Sequence, residues 1–216
     1  MNSNKKIATP LSQYGRQFYE KQKEGSRSSA MAILPILFDI IRTPKSVIDV
    51  GCGVGTWLSA CMEFGVKNIV GVDGPWVDQA QLQIPIQNFH QFDLSKEFVI
   101  PGKYDLAISF ETAEHLSSRI APSFVNSLTQ LSNVVLFSAA IPGQGGESHV
   151  NEQWPSFWGE LFKAKGFCML DPLRKKIWND ERVEWWYQQN MFLYVNAEYY
   201  ISNSAINKIP QITVVP

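Results

Sequence analysis

Two carboxylates and an imidazole lie within five residues near the middle of the chain, at Glu111, Glu114 and His115. A further imidazole, His149, follows the glycine-rich segment of residues 143–146. Carboxylates and imidazoles accept protons in general acid–base catalysis, and they are also ligands for divalent cations. These four residues are therefore an acid–base or metal-ligand cluster.

A turn with three glycines, Gly51, Gly53 and Gly55, follows the short β-branched run at residues 46–50. Glycines let the backbone approach a ligand closely, and the helix predicted after the turn presents unpaired N–H groups to an anion. In the dinucleotide fingerprint G-x-G-x-x-G the third glycine would fall at position 56, which is Thr56. The spacing therefore disfavours a nicotinamide oxidoreductase.

Aspartates stand at the ends of the next two predicted strands, at Asp73 and Asp93. Asp73 follows Gly55 at close to the roughly 20 residues expected for a carboxylate that reaches the hydroxyls of a ribose. Ligands of parallel α/β sheets bind outside the carboxyl ends of the strands. The pattern therefore predicts a nucleoside site at this edge, with Asp93 as a second contact.

Strands and helices are predicted to alternate along the chain. The hydrophobic patterns indicate strands at 46–50, 68–72, 87–92, 104–110, 133–138, 167–170 and 190–195. They indicate helices at 56–64, 120–131 and 154–165, and a helical N-terminal segment at 11–42 with a polar break at 23–29. Such alternation is typical of an α/β protein with a mostly parallel sheet covered on both faces.

The composition is that of an ordinary globular protein, and it excludes several classes of function. The 216 residues suffice for one domain, with 45% hydrophobic and 18% charged residues. The net charge of −1 gives no steering toward polyanions, so a nucleic-acid partner is not expected. Three scattered cysteines favour a reducing compartment, and we expect a cytoplasmic protein without signal peptide or membrane partner.

The order of Asp49, the three glycines, Asp73 and the Phe92-Asp93-Leu94 run resembles class I S-adenosylmethionine-dependent methyltransferases. The resemblance extends from about residue 47 to residue 138. It implies a Rossmann-like three-layer sandwich with a seven-stranded, mostly parallel sheet, an antiparallel last strand and an N-terminal helical cover. The chain would be one domain, with a helical cap at 1–43, a cofactor-binding half at 44–140 and an acceptor-side half at 141–216.

By this resemblance the cofactor is S-adenosylmethionine. Asp49 would help to hold its amino group, Asp73 would accept both ribose hydroxyls, and Asp93 would accept the adenine amino group. Gly74 and Pro75 would lie against the adenine, with Trp76 nearby. The complete expected set of cofactor-binding residues is Asp49, Gly51, Cys52, Gly53, Asp73, Gly74, Asp93, Leu94 and Phe110.

The Glu-x-x-Glu-His sequence resembles that of ubiquinone-biosynthesis O-methyltransferases. Together with His149 it also resembles the divalent-metal site of small-RNA 3′-end 2′-O-methyltransferases. The resemblance implies His115, Glu111 and His149 as catalytic residues. It also implies Mg²⁺ or Mn²⁺, or borderline Zn²⁺ or Co²⁺, on Glu111, Glu114, His115 and His149, while a metal-free base stays an open alternative.

The expected reaction is methylation of a small molecule, at a hydroxyl oxygen, by a monomer or homodimer. An RNA 2′-O-methyltransferase and a non-catalytic cofactor-binding partner subunit remain alternatives. The N-terminal helices are expected to cover the cofactor mouth, with Tyr14, Tyr19 or Ser29 near the methionine end or the acceptor. Gly25 would be a hinge in this cover.

Overall fold

A single sheet of seven strands is the centre of the protein, which is described by a computed structural model over residues 16–96 and 99–212, with side chains from residue 24 onward. The strands are β1 (Ser46–Val50), β2 (Asn68–Asp73), β3 (Phe89–Gln91), β4 (Leu106–Phe110), β5 (Val134–Ser138), β6 (Phe167–Leu170) and β7 (Phe192–Asn196). Their spatial order is β3-β2-β1-β4-β5-β7-β6. The predicted strand at 87–92 is shorter than expected, because a 3-10 turn occupies Ile86–Asn88.

Strands β1 to β5 run parallel to one another, and β7 runs antiparallel to both β5 and β6. Every residue of β4 and β5 is buried, as expected for central strands covered on both faces. The predicted fold class, an α/β Rossmann-like sheet with an antiparallel last strand, is confirmed. The parallel arrangement brings the carboxyl ends of β1, β2, β4 and β5 to one edge.

Helices cover both faces of the sheet. They are α1 (Arg16–Ile41), α2 (Thr56–Glu63), α3 (Ala121–Leu131), α4 (Pro155–Lys163), α5 (Arg174–Ile177), α6 (Trp185–Asn190) and α7 (Ala197–Ser202). The sequence predicted the first four of these and missed the short helices α5, α6 and α7. None of the helices within residues 16–96 and 99–212 has the length and hydrophobicity that crossing a membrane requires.

Helix α1 is continuous, so the polar break predicted at 23–29 is wrong. Its polar residues contact the C-terminal part of the chain: the Ser29 hydroxyl accepts a hydrogen bond from the Glu184 N–H at 2.9 Å and donates one to the Gly25 carbonyl at 2.8 Å. The hinge expected at Gly25 therefore lies inside an unbroken helix. Tyr14 and the side chain of Tyr19 lie outside the described residues.

Aromatic side chains fill the layer between the sheet and α4. The ring of Phe162 stacks on Tyr194 of β7, with centroids 3.8 Å apart, and also meets Phe137 of β5 edge to face. Trp158, one helical turn before Phe162, packs against the same Phe137. Close aromatic packing thus fixes α4 to strands β5 and β7.

Replacing Phe162 with alanine should lower the free energy of unfolding by about 3–5 kcal/mol, because a fully buried ring is lost and a cavity remains. Denaturant unfolding of Phe162→Ala beside the wild type measures this. The control is Ile201→Ala, at a position that is 74% exposed, where a change within about 0.5 kcal/mol is expected. Equal losses in the two variants would contradict the packing described for this layer.

Candidate functional site

The glycine turn lies at the carboxyl end of β1 and leads into α2. The N–H groups of Gly51 and Cys52 both donate to the Val72 carbonyl of β2, at 2.8 and 3.2 Å, which fixes the turn to the neighbouring strand. Gly51 has a φ of 88°, and a Cβ there would clash with the side chain of Thr112. A residue without a side chain is therefore required where the turn passes the end of β4.

The carboxylate of Asp73 joins two loops. One oxygen accepts a hydrogen bond from the Gly53 N–H at 2.7 Å, and the other accepts one from the Gly74 N–H at 2.6 Å. Burial raises the pKa of Asp73, and these two hydrogen bonds and the Trp76 side chain act against that rise. Each carboxylate oxygen keeps capacity for a further donor such as a ribose hydroxyl.

Asp49 is buried close to Asp73. Burial raises its pKa well above the usual range, and the negative charge of Asp73 raises it further. Two buried carboxylates at one turn favour a positively charged ligand, because a cation stabilises the ionised form of both. S-adenosylmethionine carries such charge on its sulfonium and on its amino group.

The raised pKa of Asp49 predicts a stability difference that depends on pH. The folded protein keeps the proton of Asp49 at pH values where the unfolded chain, with a pKa of about 3.9, has lost it. Unfolded chains then bind fewer protons, so stability falls as pH rises from about 4 toward the raised pKa. Asp49→Asn should therefore gain stability over the wild type across this range, without cofactor.

Melting temperatures of the wild type and Asp49→Asn from pH 4 to pH 8 test this expectation. The control is Asp39→Asn, at an exposed position of α1, whose profile should run parallel to that of the wild type. If the profile of Asp49→Asn also ran parallel to that of the wild type, ionisation of Asp49 would not contribute to the pH dependence of stability.

The Trp76 ring lies across Gly74, where a Cβ would clash with its six-membered ring. Trp76 is 43% exposed and also interacts with the Asp73 carboxylate. The indole therefore covers the surface on which Gly74 and Pro75 were expected to meet the adenine. If a nucleoside binds to Asp73, the indole must either leave this surface or stack on the base.

The other expected cofactor residues surround this surface. Asp93 accepts hydrogen bonds from the Ser95 hydroxyl at 2.5 Å and from Lys96 at 2.9 Å, which lower its pKa to about 2. Leu94 is buried beside it. The Cys52 thiol donates to the Gly53 carbonyl at 3.4 Å, and burial raises its pKa, so it is not an activated nucleophile.

Phe110 ends β4 and faces the α2 side. Its ring lies 4.4 Å from Trp57 and 5.6 Å from Tyr187, measured between centroids. The Tyr187 hydroxyl is also within 3.3 Å of the Trp57 indole nitrogen and 3.2 Å of the Ser26 hydroxyl. This aromatic group connects α1 and α6 to α2 and to the end of β4.

Loss of the Asp73 carboxylate should weaken cofactor binding strongly. A hydrogen bond to a charged group is worth about 1.5–3 kcal/mol, so losing two ribose contacts raises the Kd at least about 100-fold. Isothermal titration of Asp73→Ala with S-adenosylhomocysteine measures this. The control is Asp78→Ala, an exposed carboxylate five positions later whose loss should leave the Kd within about twofold; an unchanged Kd in Asp73→Ala would place the nucleoside elsewhere.

The cluster of Glu114, His115 and His149 lies beyond the carboxyl ends of β4 and β5. Each of Glu114, His115 and His149 offers a ligand atom, and these atoms lie within 4.8 Å of one another. The two imidazole rings meet edge to face, with centroids 4.9 Å apart. The N–H groups of Val150 and Asn151 donate to the Glu114 carbonyl at 2.9 and 3.0 Å, and this joins the two loops.

Glu114 is fully buried, and neither carboxylate oxygen has a hydrogen-bond partner among the residues that the structure describes. Burial raises its pKa well above the usual range, and the charge of Glu111 adds to the rise. Burial and the neighbouring His149 lower the pKa of His115, which favours a neutral imidazole. A buried carboxylate without a hydrogen-bond donor, beside two imidazoles, fits a cation or a shared proton.

Glu111 lies beside Glu114 but is not one of the three residues whose ligand atoms converge. Its carboxylate accepts hydrogen bonds from Gln144 at 2.8 Å and from Asn190 at 3.2 Å, and its backbone has a φ of 45°. The structure therefore brings together three of the four predicted metal ligands, while the fourth, Glu111, is hydrogen-bonded to Gln144 and Asn190. Gln144 and Asn190 were not predicted, because no sequence pattern connects residues so far apart.

Comparisons with known proteins identify the family of the chain. A family model described as a methyltransferase domain matches residues 22–191. A curated ribosomal protein L11 methyltransferase of Methylobacillus flagellatus is 24% identical over 135 residues, which cover 60% of this chain and 44% of that protein. The chain thus spans less than half the length of that relative.

Solved methyltransferases share the fold. DesVI of Streptomyces venezuelae has a TM-score of 0.64 at 16% identity, over 88% of this chain and all of that chain. Magnesium protoporphyrin IX methyltransferase (ChlM) of Synechocystis PCC 6803 with bound SAH has a TM-score of 0.60 at 16% identity, over 86% and 91%. The methyltransferase domain of bacterial CtHen1-C has a TM-score of 0.56 at 18% identity, over 79% and 98%.

Because the family match covers most of the chain, the protein belongs to the methyltransferase domain family. Its seven-stranded sheet is the fold of the solved methyltransferases. The methyltransferase class expected from the sequence is thereby confirmed.

Proposed function

We propose that the protein transfers the methyl group of S-adenosylmethionine to a hydroxyl oxygen of a small molecule. We further propose that Glu114, His115 and His149 assist this transfer by holding a divalent cation. The observation that carries the proposal is the buried Glu114 carboxylate, which accepts no hydrogen bond from the described residues and lies next to two imidazoles.

The cofactor half of the site supports alignment of the donor. Asp73 would orient the ribose through its two carboxylate oxygens, and Asp49 would attract the amino group of the methionine part. Methyl transfer from a sulfonium is an in-line displacement, so alignment and exclusion of water are the main tasks of the protein. The burial of both carboxylates supports the second task.

The cluster of Glu114, His115 and His149 favours a hydroxyl group over an amine as the methyl acceptor. A neutral amine attacks with its own lone pair, whereas a hydroxyl needs its proton removed. The lowered pKa of His115 leaves this imidazole unprotonated and able to accept a proton or a metal at neutral pH.

The donor set of the cluster points to a particular class of cation. One carboxylate and two imidazoles suit Mn²⁺ or borderline cations such as Zn²⁺ and Co²⁺ better than Mg²⁺, which prefers oxygen ligands. A cation held by these three side chains would lower the pKa of a hydroxyl beside it. Glu111, bonded to Gln144 and Asn190, would shape the mouth rather than complete the ligand set.

Release of S-adenosylhomocysteine from S-adenosylmethionine, followed by mass spectrometry of the products, tests the proposal on parallel panels of phenols, sugar alcohols and amines. We expect methylated hydroxyl compounds only, with turnover that requires Mn²⁺. Glu114→Gln should lose at least about 100-fold in turnover while it binds S-adenosylhomocysteine like the wild type, because Glu114 clusters with the imidazoles and not with Asp49 and Asp73.

The matched control is Glu147→Gln, an exposed acid of the adjacent loop, which should keep wild-type turnover. Methylation of amines alone, or turnover that is indifferent to chelation and to Glu114→Gln, would contradict the proposal. A 3′-terminal RNA oligonucleotide belongs in the panel, since its exclusive methylation would favour the RNA 2′-O-methyltransferase. Cofactor binding without turnover on any acceptor would favour the non-catalytic subunit.

A further inference from the structure

The loop between β5 and α4 is organised around the carboxylate of Glu152. Its Oε2 accepts a hydrogen bond from the Gly143 N–H at 2.8 Å, and its Oε1 accepts one from the Gly145 N–H at 3.0 Å. The same Oε1 lies 3.0 Å from Nδ1 of His149. One side chain therefore fixes both the backbone of the loop and the imidazole that the loop carries.

The sequence of the loop is suited to this arrangement. Gly143 and Gly145 have φ values of 86° and 71°, in the left-handed region that lets their N–H groups converge on one carboxylate. Gly146 has a φ of 153°, and a Cβ there would clash with the imidazole ring of His149 at Nε2. The glycines thus bind a carboxylate and leave room for the imidazole.

The hydrogen bond to Glu152 decides which ring nitrogen of His149 carries the proton. Each oxygen of Glu152 already accepts a hydrogen bond from a glycine amide, so neither oxygen carries a proton directed at the loop and the group acts as a carboxylate. An ionised carboxylate can only accept hydrogen bonds. In neutral His149 the proton must therefore be on Nδ1, and Nε2 keeps its lone pair.

We propose that Glu152 is a positioning residue, which holds the proton of neutral His149 on Nδ1 and so makes Nε2 the nitrogen that serves the cluster with Glu114 and His115. The use of that nitrogen in metal binding rests on the proposed function, whereas the tautomer does not. A carboxylate behind a ligating imidazole fixes ring orientation and raises ligand basicity.

Nitrogen NMR of the metal-free protein, labelled with ¹⁵N-histidine and held above the titration range of its imidazoles, tests the tautomer directly. The chain has three histidines, and the His149→Ala variant identifies the signal of His149. We expect the wild type to show His149 with the proton on Nδ1. A wild-type proton on Nε2 would overturn the proposal without the need for any variant.

Glu152→Ala should release the tautomer. Without the carboxylate no acceptor holds the proton on Nδ1, and neutral His149 should return to the tautomer mixture of a free imidazole side chain, in which the proton is mostly on Nε2. Glu147→Ala removes an exposed acid of the same loop and should keep the wild-type tautomer. An unchanged tautomer in Glu152→Ala would overturn the proposal.

Titration with Mn²⁺ then tests the consequence for the cluster. Glu152→Ala should raise the Mn²⁺ Kd about 10–100-fold, the usual effect of losing such a partner, while the S-adenosylhomocysteine Kd stays unchanged. An equal Mn²⁺ Kd in both proteins would contradict the functional part. If the tautomer shifts but the wild type itself binds no Mn²⁺, the proposed function fails while the role of Glu152 in positioning His149 stands.

Discussion

The site depends on the hydrogen bonds that the Asp73 carboxylate accepts from the Gly53 and Gly74 amides. These bonds bring the turn after β1 and the loop after β2 to one group, and burial holds that group in a medium of low dielectric. The same burial makes the carboxylate costly to ionise beside Asp49. A positively charged nucleoside would offset that cost by stabilising the ionised carboxylates.

The cluster of Glu114, His115 and His149 likewise contains a buried carboxylate at the carboxyl end of a strand. Because β4 and β5 are parallel neighbours, the turn after β4 and the loop after β5 emerge side by side, and Glu114 meets both imidazoles there. Glu114 is buried without a hydrogen-bond donor among residues 16–96 and 99–212, which is unfavourable for its ionised form unless a cation or a proton binds. Glu111, though only three positions away, is fully engaged with Gln144 and Asn190.

The sequence predicted the sheet and the strand-end acids because both depend on local patterns. Buried β-branched runs indicated β1, β2 and β5, and the glycines after β1 indicated a close turn. The continuity of α1 could not be predicted, since Ser26 and Ser29 look like a polar break until they meet Tyr187 and Glu184. The separation of Glu111 from the cluster likewise depends on Asn190, a contact that spans 79 positions.

A crystal structure with S-adenosylhomocysteine and Mn²⁺, with the manganese located by anomalous scattering, tests the central claim most directly. The account predicts ribose hydroxyls on Asp73 and a single manganese peak on Glu114, His115 and His149, on the side toward which the cofactor sulfur points. Ribose bound away from Asp73, or manganese absent from these three side chains at saturating concentration, would contradict it.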